Sequence, residues 1–275
     1  DLEGFAVRDN NRHFENYCKL IATEFREELK YVFTINEPEV YAYNSYLTGI
    51  WPPQEKSYRK FLKILKNLAM AHKDVYYAIK AINPDIKISI AKNNQIFIPD
   101  RRFNLLDIAM TTYLKQQWNN KFIIRTKKEL DFIGLNYYFY RCVKVTFRHM
   151  NTYCQLSYPT TRKTDLDWEV YPKGLFTLTR KLWKKFKIPI VISEHGVADK
   201  MDHLRQEVIK EGFYWIFKSI KAGSNIFGYF HWALLDNYEW DKGFEPRFGL
   251  IKVDYDNFSR TIRPSALVYQ QLIKK

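Results

Sequence analysis

Two short segments set the architecture of this chain: YVFTINEP at residues 31–38 and IPIVISEHG at residues 188–196. In each segment an apolar, β-branched run is followed by a glutamate, Glu37 in the first and Glu194 in the second. Such runs predict buried strands, and the loops just past the carboxyl ends of parallel strands are where catalytic groups gather. A lone glutamate after a strand is usually a helix cap or a solvated charge. A catalytic role is therefore inferred only because two such strand and glutamate segments occur.

Segments of helical period alternate with short apolar runs along the chain. Apolar stripes predict helices near residues 14–29, 58–79 and 204–220, with His72 as a core residue of the second helix and Gly223 as the end of the third. We predict five strands, at Tyr31–Asn36, Ile86–Asn93, Phe132–Tyr138, Ile188–Glu194 and Ile226–Trp232. The alternation predicts an α/β fold with repeated β–α units around a parallel sheet, in one domain over residues 1–275.

The composition is that of a globular protein, with 46% apolar and 17% aromatic residues in a chain of 275. The 44 Lys and Arg outnumber the 30 Asp and Glu and give a net charge of +14, which permits an anionic partner such as nucleic acid or a membrane surface. The lysines are scattered through amphipathic segments, and no phosphate-binding loop or RNA-binding signature accompanies them. Solvated helix faces are therefore favoured, and neither nucleic acid nor a membrane is expected as a partner.

The cysteines are three and widely spaced, at Cys18, Cys142 and Cys154. An odd number at such spacing does not predict a disulfide framework, so a reducing, cytoplasmic compartment is expected. No His/Cys cluster has metal-ligand spacing, and neither a metal nor a cofactor is expected. No run of about 18 apolar residues occurs, and the first residues, DLEG, lack signal-peptide character.

Two further motifs lie between and after the two glutamates: DFIGLNYY at residues 131–138 and FHWALLDNYEW at residues 230–240. With the Asn-Glu-Pro and Glu-x-Gly segments they make four motifs in one order. In this set the chain resembles glycoside hydrolase family 1, the β-glucosidase and β-galactosidase family. The resemblance implies a (β/α)8 TIM barrel and a retaining glycosidase, a hydrolase of carbohydrate metabolism that works without a cofactor.

The family resemblance implies that Glu194 is the nucleophile and that Glu37 is the acid and then the base. Acetal hydrolysis needs both a proton for a poor leaving group and stabilisation of an oxocarbenium-like centre, which two carboxyls in opposite protonation states supply. At the retaining separation of about 5–5.5 Å, the neighbouring carboxylate should raise the pKa of Glu37 until the glycosyl ester removes that charge.

The resemblance also implies a set of sugar-binding residues. Asn36 would bind the 2-hydroxyl, Tyr138 would orient the nucleophile, and Asn136 would lie on the leaving-group side. Glu239 would accept the 4- and 6-hydroxyls in a bidentate manner. The aromatic surfaces of this site would come from Trp232, Trp240 and Phe244. Structural roles remain the alternatives, a turn residue for Asn36 and a plain strand residue for Tyr138.

The same motifs bear on the substrate. Glu239 is intact where phospho-glycosidases of the family carry a small residue, and Glu37 is intact where myrosinase-type members carry Gln. The resemblance thus favours unphosphorylated β-D-glucosides or oligosaccharides, with β-galactosides and fucosides as further candidates. Ser193 and His195 depart from the usual Thr and Asn, and a supporting role behind the nucleophile is favoured for His195.

The five predicted strands correspond to strands 4 to 8 of the family barrel, so the first three β–α units are absent and the barrel is incomplete. Five strands cannot close an eight-stranded barrel. The resemblance covers the carboxyl-terminal two thirds of the family. The alternative function is therefore a truncated or split barrel: an inactive sugar-binding or interaction module, or one that needs a complementing chain or an oligomer.

Overall fold

The computed structural model describes residues 3–146, the backbone of 152–153, and residues 162–274. The helices are α1 Asn11–Glu24, α2 Pro38–Ala42, α3 Tyr58–Ile82, α4 Leu105–Leu114, α5 Lys121–Thr126, α6 Lys173–Phe186, α7 His203–Lys221 and α8 Pro264–Ile273. The strands are β1 Tyr31–Asn36, β2 Lys87–Asn93, β3 Ile96–Pro99, β4 Ile133–Tyr137, β5 Tyr140–Val145, β6 Thr152–Tyr153, β7 Ile190–His195, β8 Ile226–His231, β9 Ile251–Val253 and β10 Arg260–Ile262.

The five predicted strands are present and form one sheet in the order β1-β2-β4-β7-β8. β1 and β2 pair in parallel, with Tyr31 opposite Lys87 and Asn36 opposite Ala91. At least one helix separates each pair of neighbours along the chain, as parallel crossovers require. The predicted α/β class is therefore confirmed. Two smaller sheets, β3-β5-β6 and β9-β10, complete the described strands.

The chain divides into two compact units. The first comprises Asp1–Asn93, Trp118–Leu135 and Ile188–Val191 and holds α1, α2, α3, α5, β1 and β2. The second comprises Asn94–Gln117, Asn136–Lys187 and Ile192–Lys275 and holds β3, α4, β5, α6, α7, β8 and α8. The single domain expected over residues 1–275 stays a prediction.

The core of the first unit forms where α1 and α3 pack together beside β2. Its fully buried members are Ala22, Val75, Ile79, Ile86 and Ile88. The partly buried Phe14, Cys18 and Leu29 pack against this cluster. Val75 and Ile79 belong to the stripe predicted for the second helix, and Phe14 and Cys18 belong to the stripe predicted for the first. α1 ends at Glu24, so the first helix is shorter than the predicted residues 14–29.

His72 is a core histidine, as predicted. Its side chain is fully buried in α3, and its ring nitrogens lie 2.7 Å from Thr34 Oγ1 and 2.7 Å from the Glu129 carbonyl oxygen. Burial lowers the pKa of His72 to about 4. The ring is thus neutral at pH 7 and serves packing and hydrogen bonding.

The prediction that residues 31–35 form a buried strand is wrong in one respect. In β1, Tyr31 is 58% exposed and Phe33 is 38% exposed, whereas β4 is buried throughout. β1 and β8 stand at the two ends of the strand order, and β8 likewise exposes 45% of Phe227 and 60% of Phe230. Edge and central strands carry the same residue types, so an apolar run alone does not distinguish them.

These exposed edges predict self-association of the 275-residue chain. Apolar side chains that are exposed on an edge strand invite association with another chain. Light scattering should therefore give a mass above that of one chain, and the mass should fall on dilution. A lysine at the edge opposes such pairing, so Phe230→Lys should reduce the association. A monomer at every concentration would contradict this expectation.

Among the described residues, no helix combines the length and the apolar character that crossing a membrane requires. Within the same residues, no three His, Cys, Asp or Glu side chains come together as a metal site would need. Cys18 is a free thiol, and Cys154 lies outside the described residues.

Candidate active site

The backbone at Glu37 turns sharply from strand to helix. Glu37 follows β1 directly, and its N–H donates to the Ala91 carbonyl oxygen of β2 at 2.8 Å. Its φ of 45° lies in the left-handed region, which is uncommon for a residue with a side chain, and Pro38 then begins α2. Local backbone strain of this kind concentrates at functional sites, so the conformation points to a role for Glu37.

The Glu37 carboxyl is held by a neighbour that the sequence analysis missed. Asn93, the last residue of β2, donates from Nδ2 to Glu37 Oε1 at 3.0 Å. Trp118 Nε1 donates to Asn93 Oδ1 at 3.4 Å and so fixes which end of the amide faces the carboxyl. Asn93 and Trp118 lie in the first unit with Glu37. The only sequence signal was the position of Asn93 at a strand's carboxyl end.

Asn36 precedes Glu37 as the last residue of β1 and is solvent-exposed. It is paired with Ala91 in the register of β1 and β2, after an irregularity that begins at Phe33. Exposure at a strand end suits contact with a ligand and equally suits a turn residue, so its binding role stays a prediction.

Glu194 is the penultimate residue of β7 and receives a short hydrogen bond. Tyr138 Oη donates to Glu194 Oε2 at 2.5 Å, a distance typical of an O–H group on a carboxylate. The Tyr138 ring meets Trp168 and Phe248 edge-on, with centroids 5.8 and 6.2 Å away, which restricts its orientation. A hydrogen bond to the ionised form favours that form, as a nucleophilic carboxylate requires.

Asn136 and Ser193 form a second contact on the same strands. Ser193 Oγ donates to Asn136 Oδ1 at 2.6 Å, and the Asn136 side chain is fully buried in β4. The structure therefore places Asn136 in contact with Ser193, the residue of β7 that precedes Glu194. Its expected position on the leaving-group side stays a prediction.

His195 follows Glu194 in β7 and is buried. Its Nδ1 lies 3.0 Å from Tyr229 Oη, and its ring stacks on Tyr137 with an interplanar angle of 4°. A Cβ added at Gly212 would come within 2.8 Å of His195 Cε1, so α7 approaches the ring closely. Burial lowers the pKa of His195 to about 4. The ring is neutral at pH 7 and adds no charge beside Glu194, consistent with the supporting role expected for it.

The aromatic residues expected at the sugar site divide by exposure. Trp232 is half-buried, its N–H donates to the His195 carbonyl oxygen at 3.1 Å, and it packs on the cluster around Phe248. Trp240 is 59% exposed and Phe244 is 45% exposed. Trp232 thus lies against the end of the Glu194 strand, whereas about half of each of the Trp240 and Phe244 side chains is exposed.

Glu239 is partly buried and has a neighbouring donor. Asn237 Nδ2 donates to Glu239 Oε2 at 2.9 Å, and the Glu239 N–H donates to the Gly243 carbonyl oxygen at 2.7 Å. Phe244, one residue beyond that glycine, packs on Tyr255 with ring centroids 4.2 Å apart. The short loop between Glu239 and Phe244 therefore holds both of these predicted sugar-binding residues on one turn.

Asp236 has a structural role that the motif alone did not reveal. Its carboxylate accepts two bonds from Arg263, at 2.9 and 3.1 Å, and two from the backbone N–H groups of Gly249 and Val253. Burial would raise the pKa of Asp236, but these donors together hold it below its usual range. Asp236 thus anchors the loop that carries Glu239.

Replacing Asp236 with Ala should destabilise the protein by about 3–5 kcal/mol, because it leaves the buried Arg263 guanidinium unpaired. Urea unfolding monitored by tryptophan fluorescence measures this loss. The matched control is Asp241→Ala, whose carboxylate pairs at the surface with Lys242 and should cost at most about 1 kcal/mol. Equal losses in the two variants would contradict the anchoring role.

The model of the family described as "Glycosyl hydrolase family 1" matches residues 1–126 and 110–275. A β-galactosidase of Saccharolobus solfataricus is 30% identical over 288 residues, which cover 94% of this chain and 58% of that protein. Beta-glucosidase A of Acetivibrio thermocellus is 27% identical and is matched over 100% of this chain and 70% of its own length. The chain thus spans a little over half the length of the first of these relatives.

Solved structures agree with the sequence comparisons. A β-glycosidase from Pyrococcus horikoshii superposes with a TM-score of 0.91 at 34% identity, covering 98% of this chain and 66% of its own. A β-glucosidase from Thermotoga maritima in complex with glucoimidazole gives 0.89 at 26% identity, covering 98% of this chain and 69% of its own. Because the family model matches along the whole sequence, this chain belongs to glycosyl hydrolase family 1.

Proposed function

We propose that this chain carries the catalytic residues of a retaining β-glycosidase that hydrolyses unphosphorylated β-D-glucosides by double displacement. The observation that carries the proposal is the 2.5 Å hydrogen bond from Tyr138 to Glu194, which favours an ionised carboxylate at the end of β7. Membership of the family and relatives named as β-glucosidase and β-galactosidase support the reaction class. β-Galactosides are a second substrate candidate.

In the first step, a Glu194 oxygen attacks the anomeric carbon while Glu37 protonates the departing oxygen. In the second step, Glu37 takes a proton from water, and that water hydrolyses the glycosyl ester on Glu194. Two inversions at one carbon give net retention. Asn93 can hold Glu37 Oε1 throughout, because a carboxyl carbonyl oxygen accepts a hydrogen bond as a carboxylate oxygen does.

For sugar recognition we propose that Glu239 accepts the 4- and 6-hydroxyls, beside the aromatic surfaces of Trp232, Trp240 and Phe244. Asn36 would bind the 2-hydroxyl, a contact that strengthens in the transition state. The bond from Asn237 supports this role for Glu239, because it orients the carboxylate before a ligand arrives. A carboxylate with two acceptor oxygens can serve either epimer at the 4-position.

Glu239→Gln tests this assignment. The carbonyl oxygen of Gln can keep the bond from Asn237, but the side chain has one acceptor oxygen fewer than Glu. The kcat/KM for aryl glucosides should therefore fall about 10–100-fold, which is the contribution of one charge-assisted hydrogen bond. The kcat/KM for a 6-deoxy glucoside should fall less, because this substrate has no 6-hydroxyl to bind Glu239. Equal losses on both substrates would show that Glu239 does not hold the 6-hydroxyl.

For the fold, we propose an incomplete (β/α)8 barrel made of strands 4 to 8. The five-stranded order and the 58% of a relative's length that the chain spans support this. The exposed apolar residues of β1 and β8 support a complementing chain or an oligomer as the partner that covers them. A cytoplasmic location stays a prediction.

The stereochemistry of the product tests the reaction. Proton NMR during hydrolysis of an aryl β-D-glucoside should show β-glucose first, with the α anomer appearing only by mutarotation. First appearance of α-glucose would exclude double displacement. Glucose binding by a folded chain without turnover would favour the alternative, a sugar-binding module.

A further inference from the structure

The first unit contains a buried ion pair next to Glu37. Lys92 Nζ of β2 lies 3.1 Å from Glu39 Oε1 of α2, and the two side chains are 0% and 2% exposed. Burying both charges costs free energy that mutual attraction only partly offsets, so an apolar pair of similar size would often be as stable. Stability alone therefore does not account for this pair.

The pair is connected to the Glu37 carboxyl through the residue that holds it. Lys92 Nζ donates to the Asn93 carbonyl oxygen at 2.7 Å, and Asn93 Nδ2 donates to Glu37 Oε1 at 3.0 Å. Lys92 Nζ also lies 5.9 Å from the centroid of the Trp118 ring, and Trp118 Nε1 binds the other end of the Asn93 amide. The lysine cation thus holds the Asn93 backbone and lies over the ring of Trp118, which binds the Asn93 side chain.

Glu39 follows Glu37 by two residues, in the first turn of α2. The charges that act on Glu39 are Lys92 and then Glu37, and those that act on Lys92 are Glu39 and then Glu37. Beside Glu37, β2 thus contributes a cation and α2 contributes an anion. Burial raises the pKa of Glu39 and lowers that of Lys92, which marks the pair as desolvated.

We propose that Lys92 and Glu39 are positioning residues for Glu37: the pair fixes the Asn93 amide on the carboxyl and sets how tightly Glu37 holds its proton. The two charges act with opposite sign, since the cation favours ionised Glu37 and the anion favours protonated Glu37. The role in catalysis rests on the proposed assignment of Glu37 as acid and base. The coupling itself is a property of the folded chain and needs no turnover.

The test is an NMR titration of the whole chain labelled with ¹³C at the glutamate carboxyls, with the Glu37 resonance assigned from Glu37→Gln. The variants are Lys92→Met, Glu39→Gln and the double variant, each checked for folding by circular dichroism. The matched control is Lys19→Met, which removes a cation from the exposed pair with Glu15 in the same unit.

The pKa of Glu37 should rise by about 1 unit in Lys92→Met and fall in Glu39→Gln, while Lys19→Met leaves it unchanged. If a single variant does not fold, the double variant decides, because two neutral side chains of similar size are tolerated. In the double variant, the change in the NMR chemical shift of the Asn93 side-chain amide with pH should be less than half of that in the wild-type chain. The proposal is overturned if Lys92→Met leaves the pKa within about 0.3 unit or lowers it, if Glu39→Gln does not lower it, or if the double variant keeps the Asn93 shift.

An inactive wild-type chain that shows these shifts would refute the proposed function and leave the coupling standing. An active chain without these shifts would support the proposed function and refute the coupling. Where the chain is active, the alkaline limb of kcat/KM should follow the pKa of Glu37 in the same directions.

Discussion

Glu194→Ala should reduce hydrolysis of an aryl β-D-glucoside on the order of 10⁴-fold or more, because the proposed mechanism forms its covalent intermediate on this carboxylate. The loss should appear in kcat for activated and unactivated substrates alike, since both pass through the same glycosyl ester. Steady-state kinetics with 2,4-dinitrophenyl and phenyl glucosides measures it.

Two controls separate the loss of the nucleophile from general damage. Tyr138→Phe removes the 2.5 Å hydrogen bond to Glu194 and keeps the ring that packs on Trp168 and Phe248. Its kcat should therefore fall far less than that of Glu194→Ala, about 10–100-fold. Azide should restore turnover of the activated substrate by Glu194→Ala and yield the α-glycosyl azide, because a small anion fits the space left by the carboxylate. A Glu194→Ala protein with wild-type rates would contradict the assignment.

Glu37→Ala should slow hydrolysis of phenyl glucoside by roughly 10²–10⁴-fold, the usual contribution of a positioned proton donor. The first step with 2,4-dinitrophenyl glucoside should be nearly unaffected, because this leaving group departs without a proton. A burst of dinitrophenol followed by slow turnover is therefore expected, since the second step still lacks its base.

The outcome that contradicts this role for Glu37 is an equal loss on both leaving groups in the first step. A matched control is Glu24→Ala, at the end of α1, which should retain wild-type activity on both substrates.

The strands could be predicted because each is a short run rich in apolar residues between helical segments. β1 is found at its predicted bounds, Tyr31–Asn36, and β7 begins two residues later and ends one residue later than predicted. The pattern could not predict which strands are exposed to solvent. β1 and β8 contain the same types of apolar residue as the central strands, yet they stand at the ends of the sheet and are partly exposed. Neighbouring strands decide burial, and they come from elsewhere in the chain.

The motifs predicted which side chains matter but not what holds them. The Tyr138 to Glu194 hydrogen bond joins two motif residues and was expected from the resemblance. Asn93 and Lys92 were missed, because β2 reaches Glu37 only through the pairing of β1 with β2. Asp236 lies in the FHWALLDNYEW motif, but only its four hydrogen-bond donors reveal its structural role.

The most direct measurement of the central claim uses 2,4-dinitrophenyl 2-deoxy-2-fluoro-β-D-glucoside. The fluorine slows both steps, and the good leaving group restores the first, so the glycosyl ester accumulates. Mass spectrometry of the intact chain should show the addition of one fluoroglycosyl group, and peptide sequencing should place it on Glu194, with no addition in Glu194→Ala. A label on any other residue, or a folded chain that takes up no label, would contradict the account.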